Sequence, residues 1–432
     1  MKEAAVNSRT GQPLQAKAAA SEQGVFYRFL GLHTLLYGIF PFYIPVYMWT
    51  QGVTLAGISW FICLSGAGFI LGLWTWDRLR TRISLVSMFA LSLLLEVLLL
   101  LVVLVMEDGG LAMILGTGFA YGFYNCFYWT TQRALFYSLI NVHNSGRKYG
   151  NLQIFVGALL QVGIVLGGYV LEMYSFFHVL AISALIAFSG LLLLVPSSPD
   201  YPQALSGQKS LVLSGVLRFT DGSRSRMMFL VDGAFLFAES FFWVVTLFLL
   251  VHESFLTLGI VVLSLAVVFG VVFYALKNVI DRISPTRLFH AAVVLYAASW
   301  LFRSLIHEPM PLEALYLMMV LITFLTAFFR LALNKRFYDI AQHTRGHAYL
   351  VLKSYYTQAG TVAVFALAAV LFMIGGDREM LLEYTYWILA ASSFVYLAYG
   401  GRRTDPSSSQ APVYGLDSDF GVLGRAERDR IG

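Results

Sequence analysis

Charge and cysteine are what this sequence has least of. Charged residues make up 12% of its 432 positions, where a soluble domain carries about 25%. Too little polar surface is left to cover a water-soluble fold of this length. Cys63 and Cys126 are the only cysteines. Each sits inside an apolar block with no Cys-x-x-Cys or Cys/His spacing, so neither a disulfide framework nor a zinc site follows. No Gly-x-x-x-x-Gly-Lys-Ser/Thr loop occurs, so nothing points to ATP hydrolysis by this chain. Also missing are a metal-ligand cluster, paired carboxylates in the loops and a Ser/His/Asp arrangement. The isolated Asp232-Gly233 is no phosphotransferase signature. An intramembrane enzyme is therefore disfavoured, and no cofactor or metal is expected.

Long hydrophobic runs are what the sequence has instead. Hydrophobic residues reach 58% and mean hydropathy is +0.72. Leu111–Thr130 and Phe255–Leu276 each hold an uncharged stretch of the length that crosses a hydrocarbon core, about 20 helical residues. The runs do not alternate polar with apolar, which excludes a barrel, and lipid-facing backbone must pair with itself, which makes them helices. The first 24 residues, rich in Ala, Gln and Ser, read as a mobile tail. Helices are expected at Val25–Trp49, Thr54–Trp76, Ile83–Met106, Leu111–Ile140, Leu152–Met173 and Phe176–Val195. Six more follow at Met227–Val251, Phe255–Ile280, Arg287–Ile306, Leu312–Asn334, Ala348–Ile374 and Met380–Gly400. The expected organisation is a tail over 1–24, a six-helix bundle over 25–196, a linker over 197–226, a second bundle over 227–400 and a disordered tail over 401–432.

Basic residues segregate along this topology. With both termini in the cytoplasm, the inner loops hold Arg78, Arg80, Arg82, Arg147, Lys148, Arg224 and Arg226 among others. The outer side holds Arg303 and Arg378. Glu107, Asp108, Glu172 and Glu253 make the outer loops acidic. This is the positive-inside pattern, so the net charge of +5 needs no nucleic-acid partner. The expected location is a bacterial inner membrane, multi-pass, with cytoplasmic termini. Nothing in the sequence requires an oligomer, and a monomer is expected.

Residues about 200 apart repeat. Arg28-Phe29-Leu30 matches Met228-Phe229-Leu230, and Phe42-Tyr43 matches Phe242-Trp243. Asp77-Arg78-Leu79 matches Asp281-Arg282-Ile283, and Phe136-Tyr137 matches Phe337-Tyr338. Six helices separate the copies, so the repeats run parallel. The loop Asp77-Arg78-Leu79-Arg80-Thr81-Arg82 and the helix 5 run Gly163-Ile164-Val165-Leu166-Gly167-Gly168 complete the picture. With its two halves and these motifs, the sequence resembles the major facilitator superfamily from Val25 to about Gly400. It departs from the family pattern at Leu73 and Arg80, where glycines are usual, and at Ile164, where the antiporter motif has proline. The resemblance implies an all-α membrane protein of about twelve transmembrane helices in two pseudo-symmetric six-helix bundles. It also implies that Asp77, Arg78, Asp281 and Arg282 gate the cytoplasmic side, against the plainer reading of solvated loop charges.

Ionisable groups are costly at the bilayer centre and stand out there. Asp232 and Glu239, seven apart, share a face of helix 7, which continues through Trp243 and Thr246. Thr323, Thr326, Arg330 and Asn334 form a polar stripe on helix 10, and an Asp232–Arg330 pair is expected. Helix 4 presents Tyr121, Asn125, Tyr128 and Gln132, with Trp129 flanking, and helix 5 adds Gln153 and Gln161. The resemblance places helices 1, 4, 7 and 10 around a central cavity. Tyr121, Asn125, Tyr128, Gln132, Gln161, Glu239, Trp243, Thr323 and Arg330 are accordingly expected to line it, interhelical hydrogen bonding being the alternative. Glu96 and His33 read as hydrogen-bonded helix residues, and Lys353 and Arg133 as snorkelling cations. Gly68-x-x-x-Gly72, Gly163-x-x-x-Gly167 and the pair Ala359 and Ala363 read as packing surfaces. Pro41 and Pro45 should bend helix 1.

These features together predict secondary active transport of a small organic solute by alternating access. The energy would come from an ion or substrate gradient, with Glu239 and then Asp232 as the candidate proton carriers, and the coupling ion and the choice of symport or antiport left open. The alternatives are a transporter-like solute sensor and a lipid or drug efflux protein.

Overall fold

The structure is a computed structural model that describes residues 11–104, 110–139, 145–194, 210–276, 285–306, 310–343, 346–376 and 380–400. Every regular element among them is helical. In chain order the long helices are α1 (Gly11–Ile39), α2 (Leu55–Leu79), α3 (Leu85–Leu104), α4 (Leu111–Leu139), α5 (Ser145–Met173) and α6 (Phe176–Leu194). Next come α7 (Ser225–Phe237), α8 (Phe255–Leu276), α9 (Pro285–Ser304), α10 (Leu312–His343), α11 (His347–Gly375) and α12 (Met380–Ser392). Three of them carry irregular extensions. A 3-10 turn at Pro41–Tyr43 interrupts α1 before the helix resumes over Ile44–Thr50, where the two prolines remove backbone donors. A π turn, Ala238–Phe242, joins α7 to its outer segment Trp243–Leu250. A 3-10 turn at Ser393–Ala398 ends α12.

Eight of these helices are long and apolar enough to cross a membrane, and Ser87–Val103 and Phe176–Leu192 are shorter apolar ones. α4 and α9 are more polar, because Tyr, Asn, Thr and Gln fill the middle of α4 and α9 carries Arg287, His290 and Arg303. Large apolar side chains such as Leu98, Leu185, Val267, Leu317 and Leu371 stand exposed on the outside. That is what a lipid-facing belt requires, since no water-soluble surface tolerates so much apolar area.

α1 begins earlier than the sequence suggests. Residues 11–24, read as tail, are helical from Gly11, and the run Leu14 to Gln23 is built of strong helix formers such as Ala, Gln, Lys and Glu. α5 starts at Ser145 rather than Leu152, and α10 runs on to His343 rather than stopping at Asn334.

The two halves repeat one packing scheme. α1 packs on α5, α2 on α4, and α3 on α4 and α6; α7 packs on α11, α8 on α10, and α9 on α10 and α12. Across the interface α2 meets α11 and α5 meets α8, the exchange a pseudo-two-fold axis requires. Glycines set the closest approaches. A Cβ on Gly68, Gly118 or Gly122 would collide with a backbone carbonyl of the facing α2 or α4, and one on Gly163 or Gly167 would collide with α1. In the second half Gly233 and Gly360 close α7 on α11. Ala359 and Ala363 do not serve that purpose: both are exposed, one residue off the buried face that carries Gly360.

The halves touch near both faces of the bundle. At the terminal face, where α1 begins, the Phe136 ring meets Tyr338 at 5.1 Å and Tyr137 meets His347 at 5.0 Å. Arg133 donates to Ser354 Oγ at 3.1 Å. At the opposite face the Phe255 amide donates to Glu172 at 3.0 Å and the Tyr43 hydroxyl reaches Phe255 O at 3.4 Å.

Candidate functional site

The polar centre of the second half is built around one arginine. Arg330, on α10, donates Nη1 to Asp232 Oδ1 at 2.9 Å and both Nε and Nη2 to Glu239 Oε2, at 3.1 and 2.9 Å. Asp232 also accepts from Tyr396 OH at 2.9 Å and faces Lys353 Nζ at 3.4 Å. Glu239 Oε1 accepts from Tyr296 OH at 2.5 Å. The spacing of seven on α7 puts both carboxylates on one face, two helical turns apart, and the guanidinium fork spans them. The expected Asp232–Arg330 contact is present, and Glu239 joins it.

Burial differs along this chain of charges. Asp232 is 1% exposed, while Arg330 and Glu239 keep 13% and 17%. Glu239 is thus the carboxylate with access to its surroundings. It also sits on the π turn, a helix irregularity that recurs at functional sites. Two residues on, Phe241 packs its ring against Phe61 and Tyr121 of the first half, with centroids 5.8 and 6.2 Å apart.

One turn beyond Glu239 is Trp243, buried against the Arg303 guanidinium. Arg303, which the topology puts on the outer side, is buried, because its side chain turns into the bundle to reach Thr326 on α10. Lys353, expected to snorkel, is buried against Asp232. Thr323 is half-buried and its hydroxyl bonds Met319 O at 2.8 Å.

The first half contributes neutral groups. Tyr121 OH lies 3.2 Å from Tyr37 OH, and Asn125 Oδ1 accepts from Trp129 Nε1 at 3.1 Å. Gln132 and Gln161 are buried, and Gln161 Oε1 has no hydrogen-bond partner. Tyr128 belongs to a second cluster. Its ring stacks on His33 at 3.6 Å and its hydroxyl lies 3.4 Å from Thr34 Oγ1. His33 Nε2 in turn lies 3.2 Å from Tyr124 OH and 3.5 Å from Glu96 Oε2. Glu96 and His33, which the sequence presents as separate residues 63 positions apart in number, therefore meet inside the first half. Glu96 points inward from α3, not to lipid.

At the terminal face Asp77 is buried. Its Oδ1 pairs with Arg80 Nε at 2.7 Å and its Oδ2 accepts from the Leu211 amide at 2.6 Å, while its carbonyl accepts from Ser210 Oγ at 3.0 Å. It is not a solvated loop charge: it ties the end of α2 to the segment that leads into the second half. Arg78 instead lies over the Trp74 ring at 3.4 Å. Asp281 and Arg282 fall outside the described residues. Arg80, which stands at a glycine position of the family motif, is the partner that Asp77 uses.

Sequence patterning finds the residues on α4, α7 and α10 because they recur at helical spacing. It does not single out Tyr296, Arg303, Lys353 and Tyr396, on α9, α11 and the end of α12, as site residues. A signal is present on α9, where Tyr296, Ser299 and Arg303 share one face at helical spacing, and Arg303 is a cation on the side otherwise poor in them.

The Major Facilitator Superfamily model matches residues 29–356. The chain belongs to the major facilitator superfamily. Two solved structures show the same fold. The human organic anion transporter MFSD10 (TETRAN) is 16% identical, covers 88% of this chain over 99% of its own, and superposes with a TM-score of 0.58. A variant of the nucleoside transporter NupG is 12% identical, with 87% and 98% covered and a TM-score of 0.63. A search of curated proteins finds no match. Membership in this superfamily makes the chain a multi-pass membrane protein and supports membrane transport, rather than an enzymatic reaction, as its activity.

Proposed function

We propose that this superfamily member is a secondary active transporter of a small organic solute, working by alternating access and coupled to protons through Glu239. The observation that carries the reading is the Asp232–Arg330–Glu239 chain with its least buried end on a π turn. A charged group inside a membrane helix bundle is retained at a cost and marks a solute or ion pathway. Supporting it, the two structurally similar proteins are named as transporters of an organic anion and of nucleosides. The basic terminal-face loops favour cytoplasmic termini in a bacterial inner membrane, and a single chain supplies every group the site uses.

The residues have distinct roles in this reading. Tyr121, Asn125, Trp129 and Gln132 of the first half and Trp243, Thr323 and Arg330 of the second line the solute path, with Gln161 beside it. Glu239 takes a proton from one side of the membrane. Its carboxylate charge is then gone, its ion pair with Arg330 weakens to a hydrogen bond between the guanidinium and a neutral carboxyl, and Asp232 is left as the carboxylate facing both Arg330 and Lys353. The π turn that carries Glu239 also carries Phe241, so its rearrangement reaches the contact with Phe61 and Tyr121 across the interface. Deprotonation on the other side restores the pair. Asp77, held to Arg80 and Leu211, anchors the terminal-face end of α2 against the segment that joins the halves.

The test is uptake of a radiolabelled solute panel by proteoliposomes under an imposed pH gradient. Uptake that responds to the gradient in wild type and ignores it in Glu239→Gln supports the reading. Gradient-driven uptake that survives Glu239→Gln moves the coupling role to Asp232 or removes it. The absence of any uptake, from protein shown to bind a solute, favours the sensor reading.

A further inference from the structure

Arg303 has no role in the proton cycle above, and its surroundings are unlike those of any other buried cation in the site. It lies in the last turn of α9 and is 3% exposed. Its hydrogen bonds go to neutral oxygens alone: Nη1 to Ser299 O at 3.2 Å and Ser299 Oγ at 3.0 Å, and Nη2 to Thr326 Oγ1 at 3.0 Å. Its Nε is buried with no acceptor. Among the described residues no carboxylate forms an ion pair with it. Glu239, one turn before Trp243, has its two oxygens already held by Tyr296 and Arg330.

Its position follows from the helices. Thr326 precedes Arg330 by one turn of α10, about 6 Å along the axis, and Trp243 follows Glu239 by one turn of α7. The Arg303 head therefore forms a second tier above the Arg330–Glu239 pair, toward the opposite face. Trp300 and Trp243 flank it, their ring centroids 4.4 and 5.0 Å from the guanidinium carbon. Counting both tiers, Arg303, Arg330 and Lys353 stand against Asp232 and Glu239, so one positive charge is in excess. Arg133, bonded to the neutral Ser354, adds to that excess from α4 rather than relieving it.

A buried guanidinium without a counter-charge is expensive in a protein interior and more so in a membrane. Its planar fork of donors suits a carboxylate or a similar oxyanion. Indole faces on two sides suit an apolar or aromatic body behind that group. We propose that Arg303, between Trp243 and Trp300, receives the acidic group of an organic monoanion, and that this monoanion is the solute. The proposal rests on the transport reading for the word solute and on the geometry alone for the site. The orphaned Nε supplies the free donor, and the two tryptophans exclude water from the pair.

The experiment uses the purified full chain in detergent, with tryptophan fluorescence and the thermal midpoint as readouts. The probes are benzoate, indole-3-acetate, lactate and gluconate, each beside its neutral amide. The expected result is binding of at least one anion, with a fluorescence change from Trp243 and Trp300 and no binding of its amide. Arg303→Gln should weaken that binding about tenfold or more, because it removes a charged partner. Arg303→Lys keeps the charge without the fork, and should keep the preference for anion over amide at lower affinity; it serves where the glutamine variant does not fold. Equal binding of anion and amide, wild-type affinity in folded Arg303→Gln, or failure of all four anions would overturn the proposal. Uptake of the bound anion into proteoliposomes separates the two readings. Arg303-dependent binding without uptake leaves the site standing and removes transport.

Discussion

Glu239 and Phe241 share one π turn, and they face different halves of the molecule. Glu239 is bound to Arg330 and Tyr296 within the second half, while Phe241 packs on Phe61 and Tyr121 of the first. A change in the charge of one is therefore two residues from a contact that crosses the interface. Glu239→Gln should abolish the response of uptake to a pH gradient while solute exchange without a gradient continues. Phe241→Ala should slow exchange with the pH response retained. Exchange and gradient-driven uptake measured in parallel check both outcomes.

Asp232 and Arg330 should behave as a unit. Removing either leaves the other buried with its second partner alone, Lys353 for Asp232 and Glu239 for Arg330, at a cost of up to about 3–5 kcal/mol. Asp232→Asn and Arg330→Gln should each lower the thermal midpoint and uptake more than the two together do. Additive losses in this double-mutant cycle would remove the pairing as an energetic unit, whatever its geometry.

Gly122 stands where a Cβ would strike the Ser65 carbonyl, and backbone cannot swing aside as a side chain does. Gly122→Ala should separate α2 from α4 and destabilise the first half by about 1–3 kcal/mol, read as a lower thermal midpoint. Gly157→Ala, where a Cβ would meet nothing within 4 Å, is the matched control and should not lower the midpoint, since alanine favours a helix interior over glycine.

Asp77 holds the Arg80 side chain and the Leu211 amide. Asp77→Ala removes a charge-assisted hydrogen bond of about 1.5–3 kcal/mol and frees the segment at Ser210 and Leu211. Limited proteolysis should cut that segment faster in the variant than in wild type. Arg78→Ala, which loses a contact with Trp74 and nothing at Leu211, should not show that effect.

The architecture is legible in the sequence because hydrophobic runs, basic loops and the repeat of about 200 residues are all properties of consecutive residues. Asp232, Glu239 and Arg330 are legible for the same reason, each lying on a stripe of helical period. The His33–Glu96 contact is not, since nothing local says that α1 and α3 bring these two side chains face to face across α4's tyrosines. Arg303 misleads because its place near a helix end suggests a loop charge, and only the reach of its side chain to Thr326 reveals otherwise. Ala359 and Ala363 mislead by spacing alone: small residues at intervals of four mark a packing face only when that face is buried, and here Gly360 is on the buried one. The helical start at Gly11 has a local signal in the helix formers of Leu14 to Gln23, but that stretch is polar and has no apolar stripe to mark it.

The glycine contacts have a consequence for measurement. Where α2 meets α4, α1 meets α5 and α7 meets α11 backbone to backbone, no side chain is available to take up a displacement, so each half has little internal compliance. Pairs of spectroscopic labels placed within one half should report a single, solute-independent distance. Pairs spanning α2 and α11, or α5 and α8, are the ones whose distance distributions will carry the information about state.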